Sequence, residues 1–175
     1  MTTKYCREIY MEKPGLRIGI GYDSHPLVPG IKLILGGISI PHDKGLSGWS
    51  DADVLTHAII DALCGAADLG DKGTLFPPGE PEFKDISSLI LLDKTRVLLE
   101  EKGFQIINID TTIIAQKPRL LPFIPEMRKL VSKTLNIDNT QITIKASTSN
   151  GLGFTGRKEG IAAQAITLIQ GNHSL

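Results

Sequence analysis

Apolar and polar residues alternate through LRIGIGYD (16–23), the period of a strand with one buried face. IKLILGGISI (31–40) carries two glycines at its centre and reads as a strand or hairpin. Ser50, with Asp53 three residues later, resembles a capping box and predicts a helix over 51–68 that stops at Gly70. DKGTLFPPGEPEF (71–83) is rich in Gly and Pro and reads as a loop. Ser87 or Ser88 opens a second helix that runs to Glu101 and ends at Gly103. INIDTTIIA (107–115) is rich in Ile and Thr and predicts a strand. QKPRLLPFIP (116–125) is a proline-punctuated loop, and PEMRKLVSKTLN a helix with Pro125 in its first turn. QITIKAS (141–147) alternates like a strand, TSNGLGFTGRKEG is a glycine-rich loop, and GIAAQAITLIQ (160–170) reads as a closing helix.

The order β-β-α-α-β-α-β-α predicts an α+β sandwich, a mixed sheet with helices on one face. A sheet covered on one side leaves its other face to a partner, so an oligomer is expected. At 175 residues the chain is about one domain, long enough for a core without disulfide staples. We expect residues 1–15 to be an N-terminal extension, closed by Pro14-Gly15, and 16–175 a single catalytic domain.

Formal net charge is zero, which argues against a nucleic-acid partner. The apolar runs are too short to cross a bilayer, and the first residues show neither a signal nor a transit pattern. Cys6 and Cys64 make no disulfide framework and read as free thiols in a reducing cytoplasm. His42 and His173 read as turn and tail residues without partners.

The candidate chemistry lies in GYDSH. Asp23 and His25 are two residues apart on a strand and face the same way. His57 sits two turns into the following helix, with Asp53 and Asp61 four residues on either side. Asp23, His25 and His57 make three ligands that leave one position open, the arrangement of a catalytic zinc. Asp53 and Asp61 would accept the ring N–H groups behind them. Against this stands the plainer reading of a surface D-x-H pair, a capping Asp53 and a helix-face histidine.

GYDSH, GLSGWSDADV, LGDKGTLFP, DTTIIAQKPRLLP and IKASTSNGLGFTGRKEGIA, in that order over 16–169, resemble the 2-C-methyl-D-erythritol 2,4-cyclodiphosphate synthase family of the non-mevalonate isoprenoid pathway. The resemblance implies a homotrimer of α+β sandwiches with active sites between subunits. It implies conversion of 4-diphosphocytidyl-2-C-methyl-D-erythritol 2-phosphate to the cyclic diphosphate with release of CMP. It places zinc on Asp23, His25 and His57, and a second divalent ion, Mg²⁺, mainly on substrate phosphates. Asp23, Ser24, His25 and Ser50 would meet the substrate, and Asp71, Lys72 and Gly73 its methylerythritol hydroxyls. Phe76, Pro77, Pro78, Gly79 and Glu80 would line the same pocket. Ala115, Gln116, Lys117, Pro118, Arg119, Leu120 and Leu121 would hold the cytidine. Ser147, Ser149 and Asn150 would sit by the diphosphate, with Thr148 stabilising the transition state. Phe154 and Arg157 would lie near the trimer axis, where some members hold an isoprenoid diphosphate.

Three residues depart from the family's pattern. Trp49 replaces a histidine that contacts the diphosphate, Asn150 a glutamate that binds the second metal, and Pro78 an aspartate. Two other readings stay open: a zinc-dependent phosphohydrolase, and a non-catalytic trimer that binds cytidine nucleotides or isoprenoid diphosphates. A fused cytidylyltransferase–cyclase is not expected, because no nucleotidyltransferase-sized segment precedes Leu16.

Overall fold

A computed structural model describes residues 15–171; the N-terminal extension with Cys6, and the tail with His173, lie outside the described residues. Among the described residues there are seven strands: β1 Leu16–Pro29, β2 Leu33–Leu35, β3 Ile38–Ile40, β4 Lys44–Leu46, β5 Phe104–Ile114, β6 Ile142–Ser147 and β7 Gly160–Gly171. Five of them form a mixed sheet in the order β4-β1-β7-β5-β6, antiparallel except for the parallel pair β5/β6. β2 and β3 form the expected hairpin. The helices are α1 Val54–Ala67, α2 Lys72–Leu75, α3 Ser88–Glu101, α4 Ile124–Thr134 and α5 Gly153–Gly156. The α+β sandwich expected from the sequence is present.

β7 corrects the reading of 160–170 as a helix. Ile161, Ala163, Ala165, Thr167 and Ile169 are buried, while Gln164 and Ile166 face out, a period of two. The alanines suggest a helix, but this is the central strand, paired on both edges along most of its length. Small side chains are needed there because α1 lies across that face. Three smaller differences sit in the loops. β4 is an added strand, and 71–83 and 148–160 each contain a one-turn helix.

The core sits between the sheet and α1, where Leu55, Ile59, Ile60 and Leu63 have no exposed surface. Each such side chain contributes about 1.5–3 kcal/mol over leaving it in water. α1 lies directly on β1 because Gly19 and Gly21 face it. A Cβ on Gly19 would stand 1.9 Å from the Ala62 carbonyl oxygen, and one on Gly21 1.9 Å from that of Ala58. Glycine therefore sets the helix–strand distance, and the next two inward residues of β1 are Asp23 and His25. On the opposite face Ile18, Ile20, Tyr22 and Ile166 are at least half exposed, and Ile20 pairs with Ile166.

Candidate metal centre

The approach of α1 to β1 brings His57 over Asp23. His57 Nδ1 lies 2.8 Å and His25 Nε2 3.2 Å from the same oxygen, Asp23 Oδ2. One ligand atom from each of the three residues falls within 4.8 Å of the others, the sequence-predicted metal set. The ring centroids of the two histidines are 5.5 Å apart.

The far side of each ring shows where its proton is. His25 Nδ1 is 2.7 Å from the Ser47 carbonyl oxygen, which can only accept, so Nδ1 carries a proton and Nε2 is the nitrogen that faces Asp23. β4 pairs with the end of β1 and leaves Ser47 beside His25. His57 Nε2 lies 2.8 Å from Ser88 Oγ and 3.1 Å from Ser50 Oγ. Hydrogens on the two ring nitrogens that face Asp23 bond its carboxylate, and once a cation displaces them two lone pairs and a carboxylate oxygen converge on one point. Such a set can hold a cation, and N,N,O donors with an open side suit zinc.

Charge at the site follows from this crowding. Burial acts to raise the Asp23 pKa, but hydrogen bonds from His25 and His57 and the charges of His57 and Lys72 outweigh it and hold the carboxyl far below its usual range. Burial acts to lower the His25 pKa, and the hydrogen bond and charge of Asp23 overcome it, so the ring titrates above its usual value. Lys72 Nζ approaches the other oxygen of Asp23 at 3.6 Å.

Asp53 and Asp61 do not accept the ring N–H groups as expected. Asp53, not Ser50, is the N-cap of α1; it accepts Thr56 N–H and O–H, and Gly37 N–H ties it to the β2–β3 turn. Asp61 accepts Lys72 N–H at 2.7 Å, and burial raises its pKa. The groups that hold the imidazoles are instead Ser47, Ser50 and Ser88. Cys64 is a buried free thiol, pushed up to about 12 by burial. His42 does have a partner, Asp43 at 2.6 Å.

The predicted substrate residues fall into separate cavities. A cavity of about 190 Å³ beside the histidines is lined by His25, Trp49, Ser50, His57, Lys72, Gly73, Phe76, Pro78, Phe83 and Leu91. Asp71 caps α2 through Thr74 N–H, and Pro77, Gly79 and Glu80 lie exposed on the neighbouring loop. Trp49 Nε1–H donates to the Glu80 carbonyl at 3.1 Å, so its donor already holds that loop. A second cavity, about 330 Å³, is lined by Ala115 to Leu121 with Ala146, Ser147 and Thr148. It shares no lining residue with the first. Thr148 Oγ1 donates to Asn150 Oδ1 at 3.1 Å, and Ser149 pairs with Thr155. Ser24, His25 and Phe154 line a third hollow, next to which Arg157 pairs bidentately with Glu159, both bonds 2.9 Å.

Comparison with known proteins agrees with this geometry. Residues 16–170 match the model of the YgbB family. The chain belongs to that family. It is 58% identical over 154 residues to the 2-C-methyl-D-erythritol 2,4-cyclodiphosphate synthase of Dehalococcoides mccartyi, covering 88% of this chain and 98% of that one. The Plasmodium falciparum IspF–CDP complex has 34% identity over 93% of this chain and all of that one, with a TM-score of 0.81. The bifunctional IspDF of Campylobacter jejuni matches 90% of this chain with 39% identity and a TM-score of 0.86, and the chain spans 42% of that protein. No helix among the described residues is long and apolar enough to cross a membrane.

Proposed function

We propose that residues 16–175 form one catalytic domain that closes 4-diphosphocytidyl-2-C-methyl-D-erythritol 2-phosphate to 2-C-methyl-D-erythritol 2,4-cyclodiphosphate. CMP is released, which makes the chain a cytoplasmic phosphorus–oxygen lyase. The observation that carries this reading is the Asp23–His25–His57 set at the mouth of a small cavity, in a chain of this family.

The 2-phosphate of the substrate attacks its own β-phosphorus. A new P–O bond forms, and the bond from the β-phosphorus to the bridging oxygen breaks, its electrons leaving on CMP. The nucleophile is already an anion, so the chain has no need of a strong base. Its task is to fold a flexible substrate and to offset repulsion between phosphates. Asp23, His25 and His57 would hold Zn²⁺, whose open position supplies a Lewis acid to a phosphate oxygen. Lys72 brings a positive charge beside the carboxylate of Asp23, and it stands ready to pair with a phosphate. Phe76, Phe83 and Leu91 give the methylerythritol carbons an apolar wall. Asp71 and Gly73 to Glu80 complete the rim that meets its hydroxyls. The 115–121 cavity takes the cytosine and ribose, and Thr148 donates to the diphosphate. Asn150 lacks the charge of a carboxylate, so a second ion, Mg²⁺, would be held mainly by the substrate's phosphates. Ser24, Phe154 and Arg157 face the centre of a homotrimer. The apolar outer face of β1 and β7 and the lack of shared residues between the two main cavities support that assembly, with each active site drawn from two subunits.

The test is CMP release from the substrate, with phosphorus NMR of the product, for the wild type and His57→Ala. A cyclic diphosphate from the wild type that disappears in the variant supports the proposal. A linear phosphate product would make the chain a hydrolase, and no CMP at all from zinc- and magnesium-loaded wild type would leave a binding protein.

A further inference from the structure

The side of His57 that faces away from Asp23 is built with more care than a buried helix residue requires. Ser88 is the first residue of α3, 31 positions further along the chain, and has no exposed surface. Its hydroxyl lies 2.8 Å from His57 Nε2 and also donates to Asp51 Oδ1. The other oxygen of Asp51 accepts Ser88 N–H at 2.9 Å. Segments 49–51 and 85–88 run side by side, joined by Asp51 N–H to Ile86 O and Asp85 N–H to Trp49 O. Asp51 therefore grips Ser88 at two points and leaves its hydroxyl oxygen facing the imidazole.

A hydroxyl has one proton. A carboxylate can only accept, so Ser88 spends its proton on Asp51 and its oxygen must accept from His57. We propose that the Asp51–Ser88 pair keeps a proton on His57 Nε2, so that Nδ1, beside Asp23, is the ring nitrogen released to the metal position. Both are positioning residues, acting through His57 without touching substrate. The pair does for His57 what the Ser47 carbonyl does for His25, so each ligand ring is oriented from behind by a group from a different element. The inference rests on the metal-centre reading, and its first test does not depend on that reading.

That test is the tautomer itself. In metal-free Asp23→Ala at about pH 9, above the usual imidazole range and with no carboxylate facing Nδ1, long-range ¹H–¹⁵N spectra report which ring nitrogen of His57 carries the proton. Nε2–H is expected; Nδ1–H overturns the proposal whether or not a metal ever binds. The second test is zinc affinity by chelator competition in folded protein. Ser88→Ala keeps the backbone N–H that Asp51 grips and removes only the hydroxyl. With Ser50 as a residual partner, affinity should fall about tenfold, and about 100-fold in Ser50→Ala/Ser88→Ala, the range for lost outer partners of a metal-bound histidine. Ser88→Thr, which keeps the hydroxyl, should restore affinity to near wild type. Zinc affinity in Ser88→Ala equal to that of wild type would overturn the proposal. Wild type that takes up no zinc, with the Nε2–H tautomer found in Asp23→Ala, would sink the metal reading and leave the relay standing.

Discussion

The cavity beside the histidines and the cavity under residues 115–121 are built on different principles. The first is walled by side chains that the core locks in place. Asp23 and His25 come from a strand that glycine lets α1 approach, His57 from a helix buried almost all round, and Ser88 from the first residue of another helix. The second is made of consecutive residues in one irregular segment, against the end of β6 and the loop after it. Thr148, Ser149 and Asn150 bond chiefly to one another and to their own loop. Chemistry that needs ligand atoms held to a fraction of an ångström sits on packed elements. Recognition of a planar base, the role proposed for this cavity, tolerates a loop, and a neighbouring copy is proposed to complete it.

The sharpest way to separate the two is His57→Ala. Loss of the metal should cost several kcal/mol of transition-state stabilisation, a fall of about a thousandfold in kcat/KM. CMP affinity, measured by calorimetry, should change by less than about threefold, because residues with no shared partners act nearly additively. A matching loss of CMP affinity would show that the two cavities work as one. Gly21→Ala attacks the framework instead. The added methyl meets the Ala58 carbonyl, so α1 must lift from β1 at a cost of about 3 kcal/mol or more. Denaturant unfolding reads that cost, and zinc affinity should fall with it; a variant of unchanged stability would mean that the helix–strand distance is not set by glycine.

The same contrast governs what the sequence reveals. Asp23 and His25 were legible because strand periodicity puts them on one face, and His57 because the next element reads as a helix, although it sits in the first turn of α1 and not two turns in. α1 and α3 carry clear start and stop signals. β7 was not legible, since Ala-rich GIAAQAITLIQ satisfies helix propensity as well as it satisfies alternation, and only pairing with β1 and β5 decides. β4 is three residues long and contains Gly45, too little for a pattern. Ser88 could not be assigned to His57 from spacing, because a fold brings them together across 31 residues. Asp53 and Asp61 show the reverse error: near His57 on the helix, yet bonded to backbone elsewhere.

On the loop side, Asn150→Glu tests the missing carboxylate. An added charge near the diphosphate should lower the magnesium concentration for half-maximal rate by about tenfold, since ligand charge tunes affinity for hard cations. An unchanged magnesium requirement would show that Asn150 does not limit the second ion. The backbone resists this change, because Asn150 has φ +53°, a left-handed conformation that asparagine accepts more readily than glutamate. A small loss of stability should therefore accompany the gain.

The smallest expected effect lies on the packed side, at Ala52. It is fully buried between Asp51 and Asp53, with φ +56°. The turn must reverse there so that Asp51 reaches Ser88 while Asp53 caps α1. An alanine in that conformation costs about 1–2 kcal/mol, and glycine gives back part of the gain through a freer unfolded chain, about 0.4–1 kcal/mol. The buried methyl it removes is worth about 0.8 kcal/mol, so Ala52→Gly should stay within about 0.5 kcal/mol of wild type by denaturant unfolding, with zinc affinity unchanged. Unchanged stability with weaker zinc binding would mean that the Ala52 methyl, which stands 3.0 Å from where a Cβ on Gly48 would be, helps keep His25 and its neighbours in register. In that case packing around the ligands, and not only the hydrogen bonds behind them, sets the metal site.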